Sequence, residues 1–363
     1  MKRKRINVTE TFLPPREEYE AIIEQLWETK WLTNRGAIVL NLEKELQNYL
    51  GTMTKPLLVS NGTIALQVVV KAQQLSGEII TTPFSYVATT SSIVWEGCTP
   101  VFVDIDPEFL TIDETKIEAA ITKDTSAILA VHVFGNPCAV EKIEEIAKKH
   151  DLIVIYDAAH CFGVRYKEKS IFDYGDFSTT SFHATKLFHT GEGGAIFCNN
   201  KNATDTIYNH HNFGHNGPLE FHGLGINAKM SELNAAMGMA MLPHMDHVIE
   251  ERKFISEYYD RNLNWSSIRK PKLRDGIEYN YGYYPIIFKN EKQLIKTQSL
   301  LNEATIFPRR YFYPSLNRLP YTVPIDMPIS DNISKTILCL PLYVGLESKS
   351  LNRISELIND SVD

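Results

Sequence analysis

Apolar residues along this chain cluster in short runs rich in β-branched and aromatic side chains: Leu57–Val59, Glu78–Thr82, Pro100–Asp104, Ser126–Val133, Leu152–Tyr156, Phe177–Phe182 and Ala195–Cys198. Between the earlier runs lie stretches whose apolar positions recur at helical spacing: Thr63–Gln74, Tyr86–Glu96, Asp113–Ile121 and Ala139–His150. Strand and helix in alternation predict an α/β fold with a mostly parallel seven-stranded sheet covered by helices on both faces. The last two runs are joined by a short loop without a helix, which allows one antiparallel strand there. Ligands of such sheets bind beyond the carboxyl ends of the strands. Ser60, Asp157 and Lys186 all fall at such ends.

The flanks read differently. Tyr19, Ile22, Ile23 and Leu26 line one face of a predicted helix over 16–30, after Pro14 and Pro15. A second helix, Leu40–Tyr49, stops at Gly51. Met230–Tyr259 reads as one long helix with a kink at Pro243. Beyond about residue 260, aromatics and prolines surround helical stretches at Glu291–Asn302 and Lys349–Ile358. The division this suggests is a large ligand-binding domain over 32–245. A smaller α+β domain is expected from 1–31 together with 246–363.

Composition narrows the function classes. The chain has 363 residues, 44% hydrophobic and 22% charged, with a formal net charge of −7. A chain this size can hold a large core and a second domain. The acidic balance gives no footprint for nucleic acid. The basic opening Met1-Lys2-Arg3-Lys4-Arg5 has no apolar signal region after it and reads as a solvated tail. No apolar run is long enough to suggest a membrane partner. Five scattered cysteines without a C-x-x-C point to reduced thiols in a cytoplasm, and no metal site is expected.

Within Phe177–Ala195, an apolar run delivers Ser181, a lone Lys186 follows, and then the turn Gly191-Glu192-Gly193-Gly194. Most lysines are solvated surface groups. One held on a short loop between strands can be desolvated into a nucleophilic amine that forms Schiff bases. Ser60-Asn61-Gly62-Thr63 ends one strand and opens a helix, an arrangement that serves a phosphate or simply a helix cap. The run Ile153–Tyr156 ends in Asp157, a strand-end cap or an anion facing a protonated ring nitrogen. Tyr86 follows another strand, where an aromatic packs in the core or stacks on a flat ring. No G-x-x-x-x-G-K-[ST] and no G-x-G-x-x-G after a strand occurs, which sets aside a P-loop NTPase and a dinucleotide fold.

Together these segments resemble the DegT/DnrJ-type sugar-nucleotide aminotransferases, which are fold type I pyridoxal phosphate (PLP) enzymes. The resemblance runs from about residue 7 to the C-terminus. It is carried by Leu32-Thr33-Asn34-Arg35-Gly36, SNGT (60–63), PFSYVAT (83–89), TPVFVDID (99–106), DAAH (157–160), SFHATK (181–186), GEGG (191–194) and GLGINAKMSEL (223–233). It implies that Lys186 is the Schiff-base lysine and Asp157 the partner of the pyridine nitrogen. Tyr86 would stack on the ring and His160 lie beside it, with Gly62, Thr63 and Ser181 on the phosphate. Asn227 matches a residue given to the phosphate by a partner subunit, so a homodimer with shared active sites is implied. Lys229 stands where several members carry an arginine near the donor carboxylate, and lysine cannot make the bidentate fork. The segment 309–317 resembles one near the sugar, which puts forward Arg310, Tyr313 and Asn317 as substrate contacts. Asn317 replaces a common histidine.

The activity implied is transamination of a nucleotide-linked keto-sugar, with dTDP-4-keto-6-deoxy-D-glucose as first choice and L-glutamate as donor. Its product class feeds lipopolysaccharide O-antigen. A 3-keto sugar, a UDP- or GDP-linked sugar, and a non-catalytic PLP-binding regulator are the alternatives. Dehydratases of the same resemblance carry histidine where this chain has Lys186.

Overall fold

The computed structural model describes residues 5–362, so most of the basic opening, Met1 to Lys4, lies outside the described residues. Its centre is a seven-stranded sheet. In chain order the strands are β1 (Leu57–Val59), β2 (Glu78–Thr81), β3 (Thr99–Phe102), β4 (Thr125–Val131), β5 (Ile153–Asp157), β6 (Phe177–Ser181) and β7 (Gly194–Cys198). Their order across the sheet is β1-β7-β6-β5-β4-β2-β3. Every pair is parallel except those made by β7, which runs against both β1 and β6. This is the antiparallel strand that the short, helix-free loop after β6 allowed.

The core strands are apolar on both faces. Ile128, Leu129 and Ala130 of β4 and Val154, Ile155 and Tyr156 of β5 are all buried, as a sheet covered by helices on two sides requires. The helices Gly62–Ala72, Val87–Trp95 and Val140–His150 form where the helical spacing placed them. The stretch expected as one helix over 113–121 is a single turn, Glu114–Ile117, followed by a 3-10 turn.

Glu232 shows how local sequence fixes a distant helix. Gly36 has no side chain with which to cap the helix Ala37–Leu50. The buried carboxylate of Glu232 accepts from Gly36 N–H (2.7 Å) and Ile38 N–H (2.8 Å) instead. It also places a negative charge at the helix's positive end. A side chain on Gly36 would meet Trp31 at 2.5 Å and Glu232 at 2.9 Å.

The expected long helix over 230–259 is broken at Pro243 into Glu232–Met241, a 3-10 turn, and Met245–Asn262. The second piece crosses between two cores. Met245 and Val248 join the sheet's core, while Ile255 and Tyr259 join the smaller one. That smaller unit packs the antiparallel strands Ile268–Arg269, Pro285–Phe288 and Ile337–Cys339 against the helices Glu291–Glu303 and Ser348–Val362.

The expected assignment of 1–31 to the small domain needs correction. Only the entry strand belongs there: Ile6 pairs with Ile306 and is buried in the small core. The helix Arg16–Thr29 lies on the large domain instead. Its face of Tyr19, Ile22, Ile23 and Leu26 packs against the large core, beside Met237 and Met241. The helix has an apolar stripe to cover, and the large domain offers the matching surface.

Candidate active site

A cavity of about 670 Å³ opens at the carboxyl ends of β5 and β6 and is closed on one side by the small domain. That volume lies in the range of small-molecule sites. Lys186, Asp157, His160, Ser181, Gly62, Thr63 and Tyr86 all line it. Residues distant in sequence thus meet because each follows a strand or opens a helix on the same edge of the sheet.

One end of the cavity is built from the first turn of Gly62–Ala72. Asn61 Oδ1 caps Ile64 N–H at 2.8 Å, leaving the N–H groups of Gly62 and Thr63 for an anion. The helix starts close against β6 and β7. A Cβ on Gly62 would sit 2.7 Å from that of Ser181, and one on Gly194 would sit 2.7 Å from Asn61 backbone. Glycine at both places lets the helix end reach the strand that carries Ser181.

At the floor, the buried Asp157 ends β5. Its Oδ2 accepts from Thr89 Oγ1 at 2.7 Å and its Oδ1 from Ala159 N–H at 3.1 Å. Ser85 Oγ lies 2.8 Å from the same Thr89 hydroxyl. Burial raises the Asp157 pKa, and the two hydrogen bonds and the Lys186 charge pull it back. These donors favour the carboxylate form against the cost of burial.

Lys186 lies on the loop after β6, with its Nζ donating to Tyr283 Oη at 3.3 Å. Desolvation lowers its pKa, opposed first by the Asp157 charge. His160 is buried. Its Nδ1 accepts from Phe134 N–H at 3.0 Å, so any ring proton sits on Nε2. Desolvation, aided by Lys186, holds it well below its ordinary pKa, and it is neutral. Its ring lies between Phe312 (5.7 Å) and the edge of Tyr283 (4.7 Å). Tyr86, 60% exposed, stands at the mouth and precedes the helix Val87–Trp95.

The expected substrate residues fare differently. Arg310 does not line the cavity. Its Nη2 pairs with Glu291 at 2.8 Å and its guanidinium stacks 3.8 Å above the Tyr313 ring. Asn317 is fully buried and donates to Ile325 O at 2.7 Å. Of the expected substrate residues Arg310, Tyr313 and Asn317, none lines this cavity, and Arg310 and Asn317 make their contacts within the small domain. The side chains that do face the cavity from this region are Arg309, Tyr311 and Phe312. In an irregular segment neither strand alternation nor helical spacing tells which neighbour faces which way. Tyr283, likewise lining, carries no sequence signal beyond being one of several tyrosines in 279–284.

Asn227 and Lys229 also lie outside this chain's own cavity. Lys229 bridges to β1 at Val59, and its Nζ donates to Asn227 Oδ1 at 2.8 Å. They follow the segment 212–226, which exposes Phe213, Leu219, Phe221 and Leu224.

Residues 15–359 match the model of the DegT/DnrJ/EryC1/StrS aminotransferase family. The chain is 41% identical to a dTDP-4-amino-4,6-dideoxy-D-glucose transaminase of Shigella dysenteriae, over 98% of this chain and 99% of that one. It is 38% identical to an Escherichia coli protein of the same description, over 99% of both. Among solved structures, DesI in the presence of its TDP-sugar product superposes with a TM-score of 0.94 at 28% identity, covering 99% of this chain and 93% of that one. With Lys186, the buried Asp157 and the first turn of Gly62–Ala72 around one cavity, this chain belongs to the DegT/DnrJ/EryC1/StrS aminotransferase family.

Proposed function

We propose that the protein transfers the amino group of L-glutamate to C4 of dTDP-4-keto-6-deoxy-D-glucose, using pyridoxal 5'-phosphate. The observation that carries this reading is the meeting of Lys186, Asp157 and the Gly62–Thr63 helix end in one cavity. The residues fit the cofactor on their own chemistry. The glycine cradle at Gly62 admits a phosphate against Ser181 and the first-turn N–H groups. Asp157 is a buried anion suited to a protonated ring nitrogen. When bound, the cofactor supplies an electron sink for the carbanion that transamination requires.

The chain's own residues do the rest. Lys186 Nζ, held below its ordinary pKa by burial, is suited to giving up and taking back a proton. Tyr86 and Ala159 line the cavity where a flat ring would lie. Arg309, the one arginine lining it among the described residues, suits a carboxylate or a diphosphate. The choice of dTDP and C4 draws on the names of the relatives at 41% and 38% identity.

The same reading makes the protein a homodimer in which the exposed apolar segment 212–226 is covered by a second copy. Asn227 and Lys229 then serve the partner's cavity. The five free cysteines suit a reducing cytoplasm.

The test offers the enzyme glutamate with dTDP-4-keto-6-deoxyglucose, its 3-keto isomer, and UDP- and GDP-linked 4-keto sugars. NMR identifies the product. Preference for another sugar by tenfold or more, about 1.4 kcal/mol in transition-state binding, removes the specific assignment. Absence of 2-oxoglutarate with every sugar leaves only a PLP-binding regulator. Sedimentation of the same sample as a monomer removes the shared site.

A further inference from the structure

Among the described residues, one side chain of the small domain comes within hydrogen-bond distance of the Lys186 amine. Tyr283 Oη lies 3.3 Å from Lys186 Nζ, and the Tyr283 ring is boxed by His160 (4.7 Å), Phe134 (5.4 Å) and Tyr311 (5.9 Å). The backbone that delivers it is braced from three directions. Asn280 Nδ2 donates to both His160 O and Phe162 O at 2.9 Å, while its Oδ1 accepts from Gly282 N–H at 3.0 Å. Tyr279 Oη donates to Phe134 O (2.9 Å) and reaches Tyr283 O (3.2 Å). Arg252, buried on the helix that crosses between the domains, donates to Tyr281 O (3.0 Å) and Gly282 O (2.7 Å). Among the described residues no carboxylate pairs with Arg252, so a buried cation is spent on two carbonyls of this turn. Burying a charge with no counter-ion is costly. A loop whose only task was to link two strands would not need it.

We infer that Tyr283 is a catalytic residue whose hydroxyl accepts a hydrogen bond from Lys186 Nζ and holds the amine in place whenever it is free, with Asn280 and Arg252 as its positioning residues. The inference rests on the transaminase reading for its role in turnover, but not for the contact itself. Burial raises the phenol's pKa, so the hydroxyl stays neutral across the working range and acts as a fixed dipole. The other titratable groups that face Lys186 are Asp157, Tyr311, Tyr86, Cys161 and His160. None of these has a hydrogen bond to Nζ among the described residues.

The experiment is Tyr283→Phe, which keeps the ring in its aromatic box and removes one oxygen. In cofactor-free protein, labelling of Lys186 by acetic anhydride is followed by mass spectrometry across about pH 6–11, up to and past the ordinary lysine value. The sign is set by the geometry. The ammonium loses an acceptor, so the charged form is disfavoured, the pKa falls, and labelling below it rises by about threefold to tenfold. In the loaded enzyme kcat is expected to fall by about tenfold, with KM for the nucleotide sugar within about twofold. A Lys186 labelling profile identical to the parent's overturns the inference, whatever happens to turnover. Should Tyr283→Phe fail to fold, Tyr279→Phe removes part of the brace, and the same shift at smaller size is expected; an unchanged profile there is equally fatal. A parent protein inactive on every keto-sugar would defeat the proposed function while leaving the labelling result to decide on Tyr283.

Discussion

The rim of the large domain and the segment 309–317 of the small domain both carry clusters of polar and aromatic residues, yet they use them differently. On the rim, Asp157 and Ser181 end strands and Gly62 opens a helix, and all three reach the cavity together with Lys186 on the loop after β6. In 309–317, adjacent arginines part company: Arg309 lines the cavity, while Arg310 turns to Glu291. The same segment ties itself to the large domain through Leu316 N–H and Ser315 Oγ, both donating to Pro83 O. Asp104, next to β3, reaches back to accept from Ile329 and Ser330 N–H at 2.9 Å. Position at a strand end gives a side chain its direction; a place in an irregular segment does not.

The largest effect that could break this contrast is at Lys186. On the proposed function, Lys186→Ala should lower turnover by about 10³-fold or more, since that reading gives this amine the roles of nucleophile and proton carrier. Peptide mapping after PLP and borohydride treatment of the parent should find the pyridoxyl group on Lys186. The tag on another lysine would undo the reading of the rim.

Next in size is Asp157→Asn, expected to cost about 10²-fold in kcat while the protein stays folded. Its stability effect has the opposite sign. The folded pKa of Asp157 lies above its unfolded value. The contribution to stability is thus fully present in acid and lost as pH rises through the folded pKa. In cofactor-free protein at pH 7 the asparagine variant should therefore melt no lower than the parent. A variant that melts well below the parent and retains turnover would make Asp157 a structural cap.

The smallest effects sharpen the contrast within the small domain. Arg309→Ala should raise KM for the anionic substrates by about tenfold and leave the melt unchanged. Arg310→Ala should leave KM alone and cost about 1 kcal/mol in denaturant melts, for loss of a half-buried pair. If the two variants exchange these signatures, the assignment of the segment is reversed.

Sequence alone established the alternation of strands and helices, the order of the rim residues and the resemblance they carry. Period-2 and period-3.6 patterns are local, and a strand end is a local event, so the placement of Asp157 and Lys186 at the edge of the sheet was legible without coordinates. It misplaced the helix Arg16–Thr29, because an apolar stripe says that a partner exists and not which core supplies it. It could not separate Arg309 from Arg310, nor single out Tyr283 among the tyrosines around it. Those choices were decided by tertiary structure: by Glu291 standing beside one guanidinium, and by Arg252 and Asn280 pinning a turn against the loop of His160. Each depends on a contact between residues far apart in the chain, and the free energy of such a contact is absent from any local window of sequence.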